Sequence, residues 1–212
     1  YRSDGLHRLL PADMARLDQL GIAQVFDLRS RVELDRDGVG EFENRGDRHV
    51  HVPMVQISLD PYDESIDWSQ LDLQERYLEM LEKGGEAVRS IFSALAEPMA
   101  APIVFHCSGG KDRAGVVSAL LLRALGVDDD DIVADYALSE RYLGDFIARY
   151  REEMLEHGID YEAVSYLTSS PPQRMRHTLM ELDRRWGSTE LYLGSVGVGG
   201  GTVAALRSNL LE

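Results

Sequence analysis

The sequence predicts an α/β fold: a short central, mostly parallel sheet flanked by helices, with a helical C-terminal part from about residue 128. Short strand-forming runs at 22–28, 48–54 and 102–106 alternate with helical segments in the first half. After residue 106 every periodic segment is helical, and no internal repeat is visible. A length of 212 residues suits one domain over 1–212 and suffices for a sizeable core.

Residues 11–21 (PADMARLDQLG) predict a helix that Pro11 starts and Gly21 ends, with Met14, Leu17 and Leu20 on one face. The run 22–28 (IAQVFDL) follows as a strand. Residues 29–47 are charged and glycine-punctuated and read as a loop. Residues 48–54 (RHVHVPM) alternate and read as a second strand that Pro53 stops. A long acidic loop covers 55–70. Residues 71–97 read as two helices broken at Gly84-Gly85.

Residues 102–106 (PIVFH) form a short buried strand. After a glycine turn, 114–126 (AGVVSALLLRALG) is apolar all round, which marks a buried helix. Gly126 closes it, and Asp128 or Asp129 caps the next. Residues 129–158 hold two helices, 160–168 a short one, and Pro171-Pro172 open a long one. Residues 189–211 carry a glycine loop and a last helix.

Composition excludes several function classes. There are 37 acidic and 22 basic residues, a net charge of -15. Nucleic acid and anionic membrane surfaces both need basic faces, so neither is an expected partner. No apolar run reaches the length of a membrane span, so no stable membrane insertion is expected. The stretch YRSDGLHRLL lacks the zones of a signal peptide, and a single cysteine fits a reducing compartment. Together these predict a cytoplasmic location, with export by a non-standard route left open. One cysteine also rules out a disulfide framework and a multi-cysteine zinc site. The oligomeric state is not legible.

The chemistry concentrates at 105-FHCSGGKDRAGV-116. A lone cysteine is by default a small buried hydrophobe. Here the frame reverses that default, because Cys107 ends a strand and Arg113 returns after five residues at the start of a helix. Unsatisfied N–H groups and the helix dipole favour a thiolate there. Gly109 and Gly110 let the backbone amides of Ser108, Gly109, Gly110, Lys111 and Asp112 curl into an anion nest. The planar fork of Arg113 suits two oxygens of one anion. The ligand that fits is a tetrahedral oxyanion, phosphate first.

The implied chemistry is phosphoryl transfer to sulfur followed by hydrolysis. Neither metal nor cofactor is required, since amides and Arg113 supply the positive field. Two lookalikes are set aside. A nucleotide P-loop would need a glycine where Phe105 stands and Ser or Thr where Asp112 stands. A sulfurtransferase loop would not call for the return of Arg113.

The segment HCSGGKDRAG resembles the Cys-x5-Arg loop of protein tyrosine phosphatases. Its GKDR form is similar to a bacterial branch of atypical tyrosine phosphatases, some of which also act on phosphoinositides. Further likenesses are 1-YRSDGL-6, 25-VFDLRSRVE-33, 136-YALSERY-142 and the closing YLGSVGV…LRSNLL, so the resemblance covers most of the chain. It implies a tyrosine phosphatase-like fold, with Cys107 as nucleophile and Arg113 as phosphate ligand. It implies backbone amides of Ser108 to Asp112 around the phosphate, and Lys111 adding positive charge toward the phosphate or a second anionic group. Asp112, inside the nest, is the favoured general acid, with Asp60 and Asp63 of the acidic loop as rivals. Ala114 departs from the usual Ser or Thr, whose hydroxyl assists departure of the thiolate.

The expected substrate is phosphotyrosine in proteins. Alternatives are a phosphorylated small molecule or lipid headgroup in the same site, or a phosphate-binding pseudophosphatase. A deep, aromatic-walled pocket would favour tyrosine; a wide one with further basic groups would favour lipid. Asp27 and Arg29 read as a buried pair supporting the loop, and His106 as a structural histidine. Tyr136, Tyr142, Tyr150 and Tyr161 read as core by default.

Overall fold

The computed structural model describes residues 1–55 and 71–211, without the side chains of Asp47, Ala163 and Val164. Four strands form one wholly parallel sheet: β1 (Arg2–Ser3), β2 (Gln24–Asp27), β3 (His49–His51) and β4 (Ile103–His106), in the order β1-β4-β2-β3. Val25 pairs with His49 on one side and Val104 on the other, and Arg2 pairs with Phe105. Parallel neighbours need crossovers, which are the helices α1 (Pro11–Gln19), α2 (Arg31–Asp37), α3 (Leu73–Lys83) and α4 (Gly85–Ala96). Both sheet faces are covered, so β4 carries the apolar run Ile103, Val104 and Phe105 before His106, and all four of its residues are buried.

Strand alternation sorts the side chains. Val25 and Val104 join Met14, Ile22 and Phe42 on one face. Phe26, Ile103, Phe105 and Cys107 join the larger core with Ile91, Phe92, Val117 and Leu120 on the other. α5 (Asp112–Ala124) runs through that larger core, buried over Ala114–Leu120. The C-terminal helices α6 (Asp129–Tyr142), α7 (Gly144–Glu156), α8 (Tyr161–Val164), α9 (Pro172–Trp186), α10 (Thr189–Ser195) and α11 (Gly200–Leu210) pack around it. α6 meets α5 and α9, and α11 meets α4.

Several expectations are corrected. Residues 29–47 are not all loop, because α2 forms within them. Ser30 Oγ accepts from the Glu33 N–H while Glu33 Oε2 accepts from the Ser30 N–H, a reciprocal cap that starts the helix. The closing segment holds α10 as well as the last helix; Ser188 caps it by accepting from the Leu191 N–H. α5 begins at Asp112, two residues before the expected start at 114, so Asp112 joins Arg113 on its first turn. Tyr142 is exposed, unlike the buried Tyr136, Tyr150 and Tyr161.

Candidate active site

β4 delivers Cys107 to the carboxyl edge of the sheet, where open α/β folds place ligands. Cys107 is buried and joins Phe105 in the larger core. The loop from Ser108 to Lys111 then turns back on β1. The Gly5 N–H donates to Ser108 O at 3.0 Å. Gly110 adopts φ +66°, and a Cβ there would stand 2.6 Å from Ser3 O. The N-terminal strand therefore backs the loop, and only glycine fits where they touch. Among the described residues, no hydrogen-bond acceptor takes the backbone N–H groups from Ser108 to Arg113.

Arg113 is held across this loop by Glu33. Its Nη1 donates to Glu33 Oε2 at 2.5 Å and its Nη2 to Oε1 at 2.8 Å. Ser108 Oγ donates to the same Oε1 at 2.5 Å. Burial alone would push the Glu33 carboxyl up. The charge of Arg113 and the bonds from Arg113 and Ser108 outweigh burial and hold it at about 2. Burial would likewise pull Arg113 down, but Glu33 raises it further above its ordinary range. A motif likeness at 25–33 included Glu33; its pairing with Arg113, eighty positions along the chain, has no local signal.

Lys111 is buried, not a solvated charge. Its ammonium donates to Leu167 O at 2.5 Å and Ser169 O at 2.9 Å, and lies 3.3 Å from Asp112 Oδ1. Burial lowers its pKa, against the pull of Asp112. Asp112 Oδ1 also accepts from Tyr77 Oη at 2.5 Å. Tyr77 carried no signal in the sequence. Asp60 and Asp63 lie outside the described residues.

Beneath the loop, Asp27 is gripped by Arg29, whose Nε and Nη2 donate to its oxygens at 2.6 to 3.1 Å. Both side chains are buried, as the sequence suggested. Burial opposes the Asp27 charge, but bonds from His49 and Arg29 hold its carboxyl far below the usual range. His106 is buried, with Nδ1 3.2 Å from Cys107 O and Nε2 3.7 Å from Asp27 Oδ2. Burial drives its pKa down to about 4 despite Asp27. Asp27, His49 and His106 bring potential metal ligands within 4.8 Å of one another. The Arg29 guanidinium already lies on both Asp27 oxygens, so a cation does not fit there.

A pocket opens over Cys107, Ser108, Gly109, Asp112 and Arg113. Leu143, Phe146 and Tyr150 line it, as do Val55, Met80 and Leu167 from other parts of the chain. The Phe146 and Tyr150 rings stack at 5.7 Å, and Phe146 packs on the bare face of Gly109. Two further cations line the pocket, each beside a carboxylate: Arg36 with Asp37 at 2.7 Å and Arg76 with Glu79 at 2.8 Å.

Comparison with known proteins matches residues 1–212 to a family described as the tyrosine phosphatase family. The chain is 29% identical over 252 residues to the triple specificity protein phosphatase PtpB of Mycobacterium tuberculosis, covering 100% of this chain and 90% of that one. It is 27% identical over 226 residues to a tyrosine-protein phosphatase of Nostoc commune, covering 99% and 73%.

Proposed function

Since this chain belongs to the tyrosine phosphatase family, we propose that it hydrolyses phosphotyrosine in proteins through a thiophosphoryl intermediate on Cys107. The observation that carries this reading is the loop itself: a thiol at the strand end, a run of backbone amides from Ser108 to Arg113 with no described acceptor, and Arg113 beside them. Those amides and the guanidinium surround a phosphate's non-bridging oxygens, where charge is held through the transition state. Cys107 Sγ attacks phosphorus, the bond to the leaving oxygen breaks, and Asp112 gives that oxygen its proton. Water then attacks the thiophosphate and releases phosphate, with Asp112 accepting the proton back.

Arg113 takes the phosphate while Glu33 holds its plane. Lys111 adds positive charge beside Asp112 and anchors the loop. The aromatic wall of Phe146 and Tyr150 favours an aryl phosphate. The lining cations Arg36 and Arg76 are each matched by a carboxylate, which disfavours a polyanionic headgroup.

The test is turnover of p-nitrophenyl phosphate and of a phosphotyrosine peptide, with and without chelator, by the parent and Cys107→Ser. Chelator-resistant turnover that vanishes in the variant supports the reading. A parent that binds phosphate but does not turn over would make the loop an anion cradle, as Ala114 allows.

A further inference from the structure

Asp112 sits at the end of a buried chain of hydroxyls. Tyr77 of α3 donates to Asp112 Oδ1 at 2.5 Å, and Tyr136 of α6 stands 2.7 Å from Tyr77 Oη. Arg174 of α9 reaches Tyr136 Oη with Nη1 at 3.5 Å, and the same nitrogen donates to Ser169 O at 2.6 Å. Both tyrosines are buried, their rings edge to face at 6.1 Å.

The two ends set the direction of this chain. A guanidinium has donors and no acceptor, so Arg174 donates to Tyr136. Tyr136 then turns its own proton to Tyr77, and Tyr77 turns its proton to the carboxylate. Burial and the nearby Asp112 charge push the Tyr77 hydroxyl well above its ordinary pKa, so it keeps that proton. The Lys111 ammonium lies beside the same Asp112 oxygen at 3.3 Å. Oδ1 therefore faces two donors, and Oδ2 is the oxygen left to carry a proton.

We infer that Tyr77 is a positioning residue for the acid: it holds Oδ1 as an acceptor, so Asp112 carries its transferable proton on Oδ2. This rests on the reading of Asp112 as the proton donor. As the S–P bond forms and the P–O bond breaks, the bond pair stays on the leaving oxygen and the Oδ2 proton joins it. Asp112 is left as a carboxylate with Tyr77 and Lys111 on Oδ1.

A proton donor matters most when the leaving oxygen is basic, so the readout is selectivity between leaving groups. The Tyr77→Phe variant, which keeps the ring, is compared with the parent on phenyl phosphate and p-nitrophenyl phosphate. Phenyl phosphate kcat/KM is expected to fall about tenfold further than that for p-nitrophenyl phosphate. Asp112→Asn is expected to show the same pattern more strongly, and adding Tyr77→Phe to it to change the selectivity no further. Tyr136→Phe leaves the Tyr77 hydroxyl in place and gives the same selectivity at smaller amplitude; it carries the test if Tyr77→Phe does not fold. Equal losses on both substrates in the Tyr77 and Tyr136 variants, with Asp112→Asn still selective, would overturn the positioning role alone. Equal losses in Asp112→Asn would overturn its reading as the acid, and this inference with it.

Discussion

The two terminal guanidinium nitrogens of Arg113 meet the two carboxylate oxygens of Glu33, at 2.5 and 2.8 Å. Glu33 is itself fixed, because its Oε2 caps α2 at the Ser30 N–H and its Oε1 accepts from Ser108. One carboxylate thus ties the helix after β2 to both ends of the loop after β4.

Removing that carboxylate leaves a buried guanidinium without its partner. Glu33→Ala is expected to cost about 3–5 kcal/mol of stability, read as a lower denaturant midpoint at unchanged slope. Arg113 also loses its orientation, so kcat/KM on p-nitrophenyl phosphate falls by about a hundredfold. A variant of parental stability and turnover would show that the pair is incidental.

Two groups give testable windows on the acid side of the stability profile, over and above the depressed Asp27 carboxyl, whose contribution is lost only below its ordinary 3.8. Glu33 titrates near 2 in the folded chain against an ordinary 4.5. Its contribution is therefore complete above about pH 4.5 and is lost as pH falls through 2, amounting to about 3 kcal/mol. His106 is depressed to about 4 from 6.5 because burial disfavours its charged form. The unfolded chain then takes up a proton before the folded one does. Stability is complete above pH 6.5 and falls toward pH 4, again by about 3 kcal/mol. Denaturation across pH 2 to 7 checks both: Glu33→Gln should lessen the slope below pH 4.5, leaving that of Asp27, and His106→Gln should remove the slope between about pH 4 and 6.5. The same slopes in parent and variants would sink the assignment.

Local chemistry explains what the sequence displayed. The strand run ending at Phe105, the paired glycines and the return of Arg113 lie within one short stretch, so the loop could be read directly. α2 was readable in principle from Ser30 and Glu33 as a reciprocal cap, but the charged residues and glycines around it gave the stretch the composition of a loop. β1 has only two residues and no periodicity to show. The partners of Lys111 and Asp112 come from residues 167 and 169 and from Tyr77, brought together only by packing among α3, α5, α6 and α9. Side-chain pairing across such separations leaves no spacing in the sequence.

Lys111 offers a case where two roles make different predictions. If its ammonium clasps the turn at 165–170, Lys111→Met leaves Leu167 O without its donor, while Ser169 O keeps Arg174. The expected cost is about 1–3 kcal/mol, with faster amide exchange in that turn before any ligand is added. Lys111→Arg should not rescue it, since a planar fork does not replace a compact ammonium. Unchanged stability and exchange, with only a raised KM, would assign Lys111 to phosphate binding and not to clasping.

The two loop glycines should respond unequally. At Gly110 a side chain meets backbone, with Ser3 O at 2.6 Å and Asp4 N at 2.8 Å, in a left-handed conformation at φ +66°. Neither the β1 strand nor the loop can yield without the other, so Gly110→Ala combines about 1–2 kcal/mol of backbone strain with a steric clash. Displaced amides should then cut turnover by about a hundredfold. At Gly109 a Cβ meets the ring of Phe146 at 3.3 Å, and a side chain at the pocket wall can swing aside. Gly109→Ala is expected to keep turnover within a few-fold of the parent, with the change in KM because Phe146 lines the substrate wall. Isothermal titration with inorganic phosphate distinguishes the sites: affinity is lost in Gly110→Ala and retained in Gly109→Ala. Equal phosphate affinity in both variants would mean that β1 does not shape the nest.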